Sequence, residues 1–473
     1  MGIAARSDCK AERRVTSLDL YHMLPAWGRT LAASARGWEL SRWRYGPDSE
    51  HLAAEALERD RWPNGRWEQW RQERLAFILR RAVNEVPYYK ELWNGRTGWE
   101  KLENWPILEK EPLRVNARAF VSRDRDIRRL FHDHTSGTSG TSLNIWLSRD
   151  TVRGWYALFE ARLRRWYGVS WNDRWAILGG QLVIPRKQGK PPFWVWNAGL
   201  NQLYMSSYHL APEAIPHYLD ALRRYRIRYL LGYSSSLYAL AAAALERGLE
   251  APPMKVAITN AEPIFDYQRR AITQAFGCPV RETYGMAEIV TAASECEQGR
   301  LHLWPEAGIT EVRAGELICT GLFNPDMPLI RYRVGDRGEL DAAGDCPCGR
   351  TLPVLRSLEG RIDDVLYTMD GRGIGRLDPV FKEGLPIQEA QIIQEELDRV
   401  RVVYVPAAGF DSRAERSIAE RLRARMGPVR IDFEPAGRIP RGVNGKFRAV
   451  ICNLPPEQRP PAPSAAPDRT GNS

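Results

Sequence analysis

Residues 227–285 read IRYLLGYSSSLYALAAAALERGLEAPPMKVAITNAEPIFDYQRRAITQAFGCPVRETYG. Three short apolar runs alternate with two longer helical stretches, and Gly277 follows the second stretch where the residue after a helix is expected. A strand–helix–strand–helix–strand order predicts βαβ units, and these units require a parallel sheet. The stretch therefore predicts an α/β fold.

Polar or aromatic loops follow all three predicted strands. They cover residues 233–236, 260–263 and 284–288. Ligands of parallel sheets bind beyond the carboxyl ends of the strands. We therefore expect a binding crevice that these three loops line together.

The length of 473 residues predicts two or three domains. The N-terminal region, about 15–95, is expected to be helical, because Leu75, Ile78, Leu79 and Ala82 recur at the spacing of one helix face. Aromatic residues dominate core burial. We therefore expect packing roles for the tryptophans of this region, Trp38, Trp43, Trp62, Trp67 and Trp70.

The formal net charge of +10 favours anionic partners. The basic residues are spread along the chain and form no single stripe, which argues against a nucleic-acid surface. Seven sparse cysteines argue against a disulfide framework and favour the cytoplasm. We also expect no leader and no transmembrane segment, since no run approaches the roughly 18 apolar residues that a spanning helix needs. Oligomer formation stays open.

A run of hydroxyl residues and glycine, TSGTSGTS at 135–142, stands between segments with structured character. Such a run can be a flexible linker. It can also curl its backbone N–H groups around an anion while the hydroxyls donate further hydrogen bonds. The run does not end in Gly-Lys-Ser/Thr and so does not match the P-loop of NTPases. We favour the anion loop over the linker.

Five motifs in order, TSGTSGTSL, YGMAE, YRVGDRGEL, EGRIDDVL and IPRGVNGKFR, resemble those of the adenylate-forming superfamily. The resemblance is to its phenylacetate–CoA ligase-like branch, including relatives linked to capsular polysaccharide biosynthesis, and spans roughly residues 20–453. It implies a large N-terminal AMP-binding domain with parallel sheets and helices over 1–359. A small mobile α+β domain is expected over 360–454, followed by a Pro-rich, disordered tail over 455–473.

The resemblance also implies roles for individual residues. Tyr284 would stack on adenine, Asp336 would hold the ribose hydroxyls, Glu288 would bind Mg²⁺, Lys446 would be the catalytic lysine and Asp363 the hinge. The sequence departs from many members at Thr141 and Ser142, where they have Lys and Pro. The full set of residues expected to bind ATP is Ser136, Gly137, Thr138, Ser139, Gly140, Thr141, Ala261, Glu262, Pro263, Tyr284, Gly285, Met286, Asp336 and Arg361.

The implied reaction is the ATP-dependent adenylation of a small carboxylic acid, followed by thioester formation with coenzyme A. One alternative is an adenylating ligase that transfers the acyl group to an amine, a hydroxyl or a carrier thiol, in cell-surface polysaccharide or natural-product biosynthesis. The other is a basic binding protein without catalytic activity. Residues that line an acyl pocket come from distant segments, so the sequence does not indicate which acid is used.

Three cysteines and one histidine form a second candidate site. Cys296 and His302 are followed by the Cys346-Pro-Cys348-Gly349 turn. Three thiolates and one imidazole make a tetrahedral zinc set, and members of the resembled branch can carry such a structural zinc. The alternative is three unrelated reduced thiols and a surface histidine. We expect a structural zinc site away from the chemistry.

Overall fold

A computed structural model gives the fold. It describes residues 17–134, 143–341, 346–361, 366–369, 373, 374, 377, 380, 385–407, 409–440 and 447–459. Several residues with predicted roles lie outside these ranges: residues 136–141, Asp363, Lys446 and residues 460–473. The side chain of Arg361 also lies outside the described part of the structure. Among the described residues, no helix is both long and apolar enough to cross a membrane.

Helices dominate residues 17–120, as the apolar periodicity predicts. Ile78, Leu79 and Ala82 are buried on one helix face and Leu75 packs against the same core. Among the tryptophans, Trp67 is buried, but Trp38 is largely exposed, so the packing role expected for it is wrong. The helices are α1 (Ser17–Met23), α2 (Ala26–Arg44), α3 (Ser49–Arg59), α4 (Asn64–Glu85), α5 (Pro87–Leu92) and α6 (Lys110–Asn116).

A fully buried arginine ties this helical region to the rest of the large domain. Arg162 donates to Asp60 at 2.8 Å, just after α3, and to Glu306 at 2.7 Å. Trp166 donates to the second oxygen of Asp60 at 2.7 Å. Since a buried charge without partners is costly, these carboxylates fix the helical region in place.

The middle of the chain alternates strands and helices. The α/β pattern read from residues 227–285 is confirmed, with each element within a few residues of its predicted limits. The elements are β1 (Phe131–His134), β2 (Asn144–Leu147), α7 (Arg149–Phe159), β3 (Trp175–Gly179), β4 (Trp194–Asn197), β5 (Gln202–Ser206), α8 (Ile215–Arg224), β6 (Tyr229–Tyr233), α9 (Ser234–Glu246), β7 (Val256–Asn260), α10 (Asp266–Phe276) and β8 (Val280–Gly285).

Shorter connections follow β8, and the strands there form hairpins. They are β9 (Ala292–Glu295), β10 (Leu301–Leu303), β11 (Gly308–Arg313), β12 (Glu316–Gly321), β13 (Tyr332–Leu340) and β14 (Val354–Arg361). One 12-stranded sheet joins both halves in the order β11-β12-β13-β14-β10-β9-β8-β7-β6-β3-β5-β4. Strands β6, β7 and β8 are parallel, as predicted, and β3 and β5 extend this parallel group. The strands on either side of this group pair antiparallel, so the sheet is mixed.

The C-terminal part forms a separate four-stranded sheet in the order β19-β18-β17-β20. Helix α11 packs Ile418 and Leu422 against Ile392 and Val402 of this sheet. The predicted domain limits stay a prediction. The elements are β15 (Leu366–Tyr367), β16 (Gly373–Ile374), β17 (Ile387–Glu396), β18 (Arg399–Pro406), α11 (Ser412–Met426), β19 (Arg430–Pro435) and β20 (Val450–Cys452).

Candidate active site

The carboxyl ends of β5, β3, β6, β7 and β8 lie along one edge of the large sheet, because these strands are parallel. We call the space at this edge the crevice. Two of the three segments predicted to line it, residues 260–263 and 284–288, continue from the ends of β7 and β8. The loop predicted after β6 is wrong, because Ser234, Ser235 and Ser236 form the buried first turn of α9. The segments that the sequence predicts to bind the nucleotide thus come to one edge of the sheet, and their role stays a prediction.

Glu262, in the loop after β7, is hydrogen-bonded from two sides. One carboxylate oxygen accepts from the backbone N–H of Ser235 at 3.0 Å, at the start of α9. The other accepts from the backbone N–H of Phe447 at 2.6 Å. Glu262 thus links the crevice to the C-terminal segment that carries the predicted catalytic lysine, the residue before Phe447 in the chain.

The backbone of the loop after β7 is held in an unusual conformation. Ala261 has φ +62, a left-handed value that residues with a Cβ rarely adopt. Such strain persists only where the surroundings enforce it, and it clusters at functional sites. Ala261 and Pro263 are exposed, which leaves this loop accessible beside Glu262.

Tyr284, at the end of β8, donates its phenolic hydroxyl to Oδ2 of Asp336 at 2.7 Å. Burial, together with the Asp336 carboxylate, holds the pKa of Tyr284 well above its ordinary value, so the phenol stays protonated and remains a donor. Next to it, Gly285 is exposed and Met286 packs against the main core. The residues predicted to bind adenine and ribose are therefore in direct contact.

Asp336 lies on β13 opposite Arg361 on β14. The register of these two strands brings the predicted ribose-binding carboxylate and Arg361 to neighbouring backbone positions. Glu288, the predicted magnesium ligand, accepts a hydrogen bond at Oε1 from the hydroxyl of buried Tyr332 at 3.0 Å. Two carboxylates of the candidate site are thus each oriented by a tyrosine.

Tyr332 and Phe447 contribute to the site and were missed in the sequence. Tyr332 carried a usable signal, because residues two and four apart on a strand share a face, and it stands four positions before Asp336 in YRVGD. The sequence contains no signal for Phe447, because its contribution is a backbone N–H that any residue except proline would provide.

The predicted phosphate loop connects a hairpin. Strands β1 and β2 pair antiparallel, with His134 opposite Asn144. The hydroxyl and glycine residues Ser136, Gly137, Thr138, Ser139, Gly140 and Thr141 belong to this connection and lie outside the described residues. Their predicted contact with ATP stays a prediction.

The four predicted zinc ligands come together. The sulfurs of Cys296 and Cys346 are 3.7 Å apart, and the sulfur of Cys348 is 3.4 Å from Nε2 of His302. All four ligand atoms lie within 4.8 Å of one another. The other ring nitrogen of His302 lies 3.0 Å from the carbonyl oxygen of Leu352, a contact of the kind that fixes the tautomer of metal-binding histidines.

The charge environment of Cys348 also suits a metal ligand. Burial raises the pKa of its thiol, but hydrogen bonds and the charge of Arg350 outweigh burial and lower it overall. Because the thiolate is the metal-binding form, Arg350 favours the form that would bind. Trp166, which donates to Asp60, contacts the His302 ring edge to face, so the cluster lies against the anchored N-terminal region.

Comparison with known proteins yields a family match and several relatives. The sequence-family model of the CapK C-terminal domain matches residues 366–453. Protein CapK of Staphylococcus aureus is 27% identical over 369 residues, which is 74% of this chain and 80% of that protein. A phenylacetate-coenzyme A ligase of Thermus thermophilus is 23% identical over 441 residues, covering 80% of this chain and 95% of the ligase.

A solved structure shares the fold. It is 2-hydroxyisobutyryl-CoA ligase in the postadenylation state, which superposes with a TM-score of 0.64 at 19% identity and covers 84% of this chain and 91% of that one. The predicted α/β fold class is confirmed by this match. The ordered motifs, the fold and the relatives agree: this chain is similar to the AMP-forming ligases of the adenylate-forming superfamily, in the branch of CapK and the phenylacetate–CoA ligases.

Proposed function

We propose that this protein activates a small carboxylic acid with ATP and then transfers the acyl group to coenzyme A. The first step joins the acid to the α-phosphorus of ATP and releases pyrophosphate. The second replaces AMP by the thiol and leaves an acyl thioester. The relatives named as phenylacetate-coenzyme A ligases support this proposal.

One observation carries the proposal most directly. The N–H of Phe447 donates to Glu262, so the segment that contains Lys446 reaches the loop predicted to bind the nucleotide. A lysine brought to this crevice can offset negative charge at the α-phosphate as the carboxylate attacks. Nothing in a merely basic binding protein requires the backbone of Phe447, the residue after Lys446 in the chain, to contact a strained loop at the carboxyl ends of a parallel sheet.

Glu288 is the residue that would hold Mg²⁺. It offers a carboxylate, the ligand type that Mg²⁺ prefers, and the Tyr332 hydroxyl fixes its orientation. The bound ion would supply positive charge to the pyrophosphate leaving group. Within the chain itself, Asp336 would accept hydrogen bonds from the ribose, and the ring of Tyr284 would pack against the base.

We further propose that Cys296, His302, Cys346 and Cys348 hold a structural zinc ion. A tetrahedron with Zn–S of about 2.3 Å and Zn–N of about 2.0 Å has edges of about 3.5–3.8 Å. The observed separations of 3.7 Å and 3.4 Å between ligand atoms fit these edges. The ion would join the β9–β10 hairpin to the segment before β14.

The acyl acceptor needs a test of its own, because the name of the CapK relative states no acceptor. A pyrophosphate-release assay with a panel of carboxylic acids tests the first step. Pyrophosphate formation with one acid class supports adenylation, and its absence with every acid argues for the binding-protein alternative. Product analysis with coenzyme A, with amines and with hydroxyl compounds then identifies the acceptor. A product with the amine or the hydroxyl but not with coenzyme A would refute the thioester step.

A further inference from the structure

Strained backbone positions lie directly beside residues of the candidate site. Among the described residues, six that carry a Cβ have φ between +48 and +62, in the left-handed region. Three of the six occupy turns between neighbouring helices and strands. The other three are each adjacent in the chain to a residue of the site: Ala261 precedes Glu262, Ile289 follows Glu288 and Arg331 precedes Tyr332.

Two of these positions flank one hydrogen bond, which the Tyr332 hydroxyl donates to Glu288 at 3.0 Å. Ile289 and Arg331 both have φ +48 and both are buried. This φ is an outlier for Ile289, because its side chain is β-branched. Such conformations persist only where the surroundings enforce them, so the contacts of Arg331 indicate what holds its turn in place.

The guanidinium group of Arg331 is anchored at all three of its nitrogens. Nε and Nη2 donate to the two carboxylate oxygens of Glu311 at 3.1 and 3.2 Å. Nη1 donates to the backbone carbonyls of Glu103 and Trp105 at 3.2 and 2.7 Å. A forked arginine–carboxylate pair fixes orientation as well as distance. The side chain therefore ties the turn before β13 to β11 and to the N-terminal region.

The backbone of Arg331 is anchored too. Its N–H donates to the hydroxyl of Thr320 at 3.0 Å, and its carbonyl accepts from the N–H of Leu108 at 2.9 Å. The chain enters β13 directly from this residue, and Tyr332 is the first residue of the strand. The anchors on Arg331 thus determine where β13 begins and where the Tyr332 hydroxyl lies.

We propose that Arg331 is a positioning residue for the magnesium ligand. Its anchors hold the left-handed turn, the turn places Tyr332, and Tyr332 orients Glu288 before the ion binds. The charge of Arg331 is matched by Glu311, so Arg331 acts through the turn and not on the nucleotide. A supporting shell of this kind keeps a binding group in its productive orientation. This inference rests on the proposed function, because it takes Glu288 as the residue that holds Mg²⁺.

The test compares Arg331→Gln, Tyr332→Phe and the double variant in Mg²⁺ titrations of pyrophosphate release. Each single variant should raise the Mg²⁺ concentration for half-maximal rate by about two- to tenfold, the effect of one hydrogen bond, with KM for the acid unchanged. The double variant should match the single variant with the larger shift, because both changes act through Glu288. Arg313→Gln is the control, since Arg313 also pairs with Glu311 but lies outside the turn.

Binding of Mn²⁺ in the presence of ATP, measured by electron paramagnetic resonance without the acid, is a readout independent of activity. Its Kd should rise in the same variants by about the same two- to tenfold factor. Glu311→Gln is a second variant that leaves residue 331 itself unchanged, so the test does not depend on the folding of Arg331→Gln. It should shift both measurements in the same direction.

The possible failures are distinguishable. If the wild type releases no pyrophosphate with any acid, the proposed adenylation is wrong and this inference falls with it. If the wild type is active but Arg331→Gln and Glu311→Gln lower only the melting temperature, with unchanged Mg²⁺ and Mn²⁺ titrations, Arg331 is structural and the positioning role alone is overturned. Shifts that multiply in the double variant would also overturn it, because Arg331 would then act independently of Tyr332.

Discussion

The hydroxyl of Tyr284 lies 2.7 Å from Oδ2 of Asp336, although 52 residues separate the two in the sequence. This contact joins the end of a parallel strand to the middle of a strand in the antiparallel half of the sheet. A nucleotide that uses both residues would therefore lie across the boundary between the halves. Asp336 is already oriented before any ribose reaches it.

Replacing Asp336 tests this assignment. Asp336→Asn keeps the shape of the side chain but removes the charge that strengthens hydrogen bonds to the ribose hydroxyls. A charged hydrogen bond contributes about 1.5–3 kcal/mol, so we expect KM for ATP to rise by about 10- to 100-fold. Tyr284→Phe keeps the ring and should change KM much less. Unchanged ATP kinetics in Asp336→Asn would show that the carboxylate does not bind the nucleotide.

Glu288→Gln tests the magnesium assignment. The amide keeps an oxygen that can accept from Tyr332 but loses the negative charge that attracts Mg²⁺. We expect pyrophosphate release to slow and the Mg²⁺ concentration for half-maximal rate to rise by about tenfold or more. Tyr332→Phe is the matched control for positioning and should have a smaller effect. An Mg²⁺ titration that is the same for Glu288→Gln and the wild type would exclude this role.

Lys446→Ala should separate the two half-reactions. Removing a donor that stabilises charge in a transition state costs on the order of 10²–10³ in rate, so pyrophosphate release should fall by that factor. Product formation from a synthetic acyl-adenylate should be largely retained, because the mobile C-terminal domain is expected to present another face in the second step. Lys187→Ala, a change outside the candidate site, serves as the control. Equal losses in both half-reactions would indicate a structural role.

Chelation and Cys348→Ser test the zinc proposal. Purified protein should contain about one zinc per chain, and Cys348→Ser should contain much less. Its melting temperature should fall by several degrees, since the ion would join two segments of the sheet. Cys452→Ser, which alters a thiol outside the cluster, should keep both the metal and the stability. Metal-free protein with the stability of the wild type would contradict the proposal.

Glu282 predicts a pH dependence of stability. Burial, together with the nearby Glu295 carboxylate, raises the pKa of Glu282 to about 7, although Arg269 opposes this. Between about pH 4.5 and 7 the unfolded chain releases this proton and the folded chain keeps it. Stability supplied by the protonated group is therefore complete below about pH 4.5 and is lost as the pH rises to 7.

The difference in unfolding free energy between the wild type and Glu282→Gln should fall by about 1–3 kcal/mol across this range and then stay level. Denaturant unfolding of both proteins at several pH values measures it. A difference that does not vary with pH would show that Glu282 titrates at its ordinary value.

Local patterns predicted the parallel half of the fold well. The segment from β6 to β8 alternates strands and helices, and each type has its own spacing of apolar residues. The buried positions Ile78, Leu79 and Ala82 followed from the same periodicity. Such patterns report which face of an element is buried. They do not report which element lies against it.

The relationships that the sequence could not provide are long-range. The contact between Glu262 and Phe447 joins residues 185 apart and uses a backbone donor, so no side-chain pattern marks it. Trp38 was expected to pack because aromatic side chains are usually buried. Gly37, the residue before it, instead packs closely against Asn197, and this contact leaves the Trp38 side chain exposed. Composition alone does not reveal such a rotation of α2.

The position of β10 has a consequence for synthesis on the ribosome. This strand lies between β9 and β14, but β14 is made long after its neighbour. Fifty residues separate Cys296 from Cys346, so at about 5–20 residues per second one edge of β10 waits several seconds for its partner. The parallel half can form during this interval. The exposed edge of β10 can pair with a wrong strand until β14 has been synthesised. Cys346 and Cys348 are synthesised just before β14.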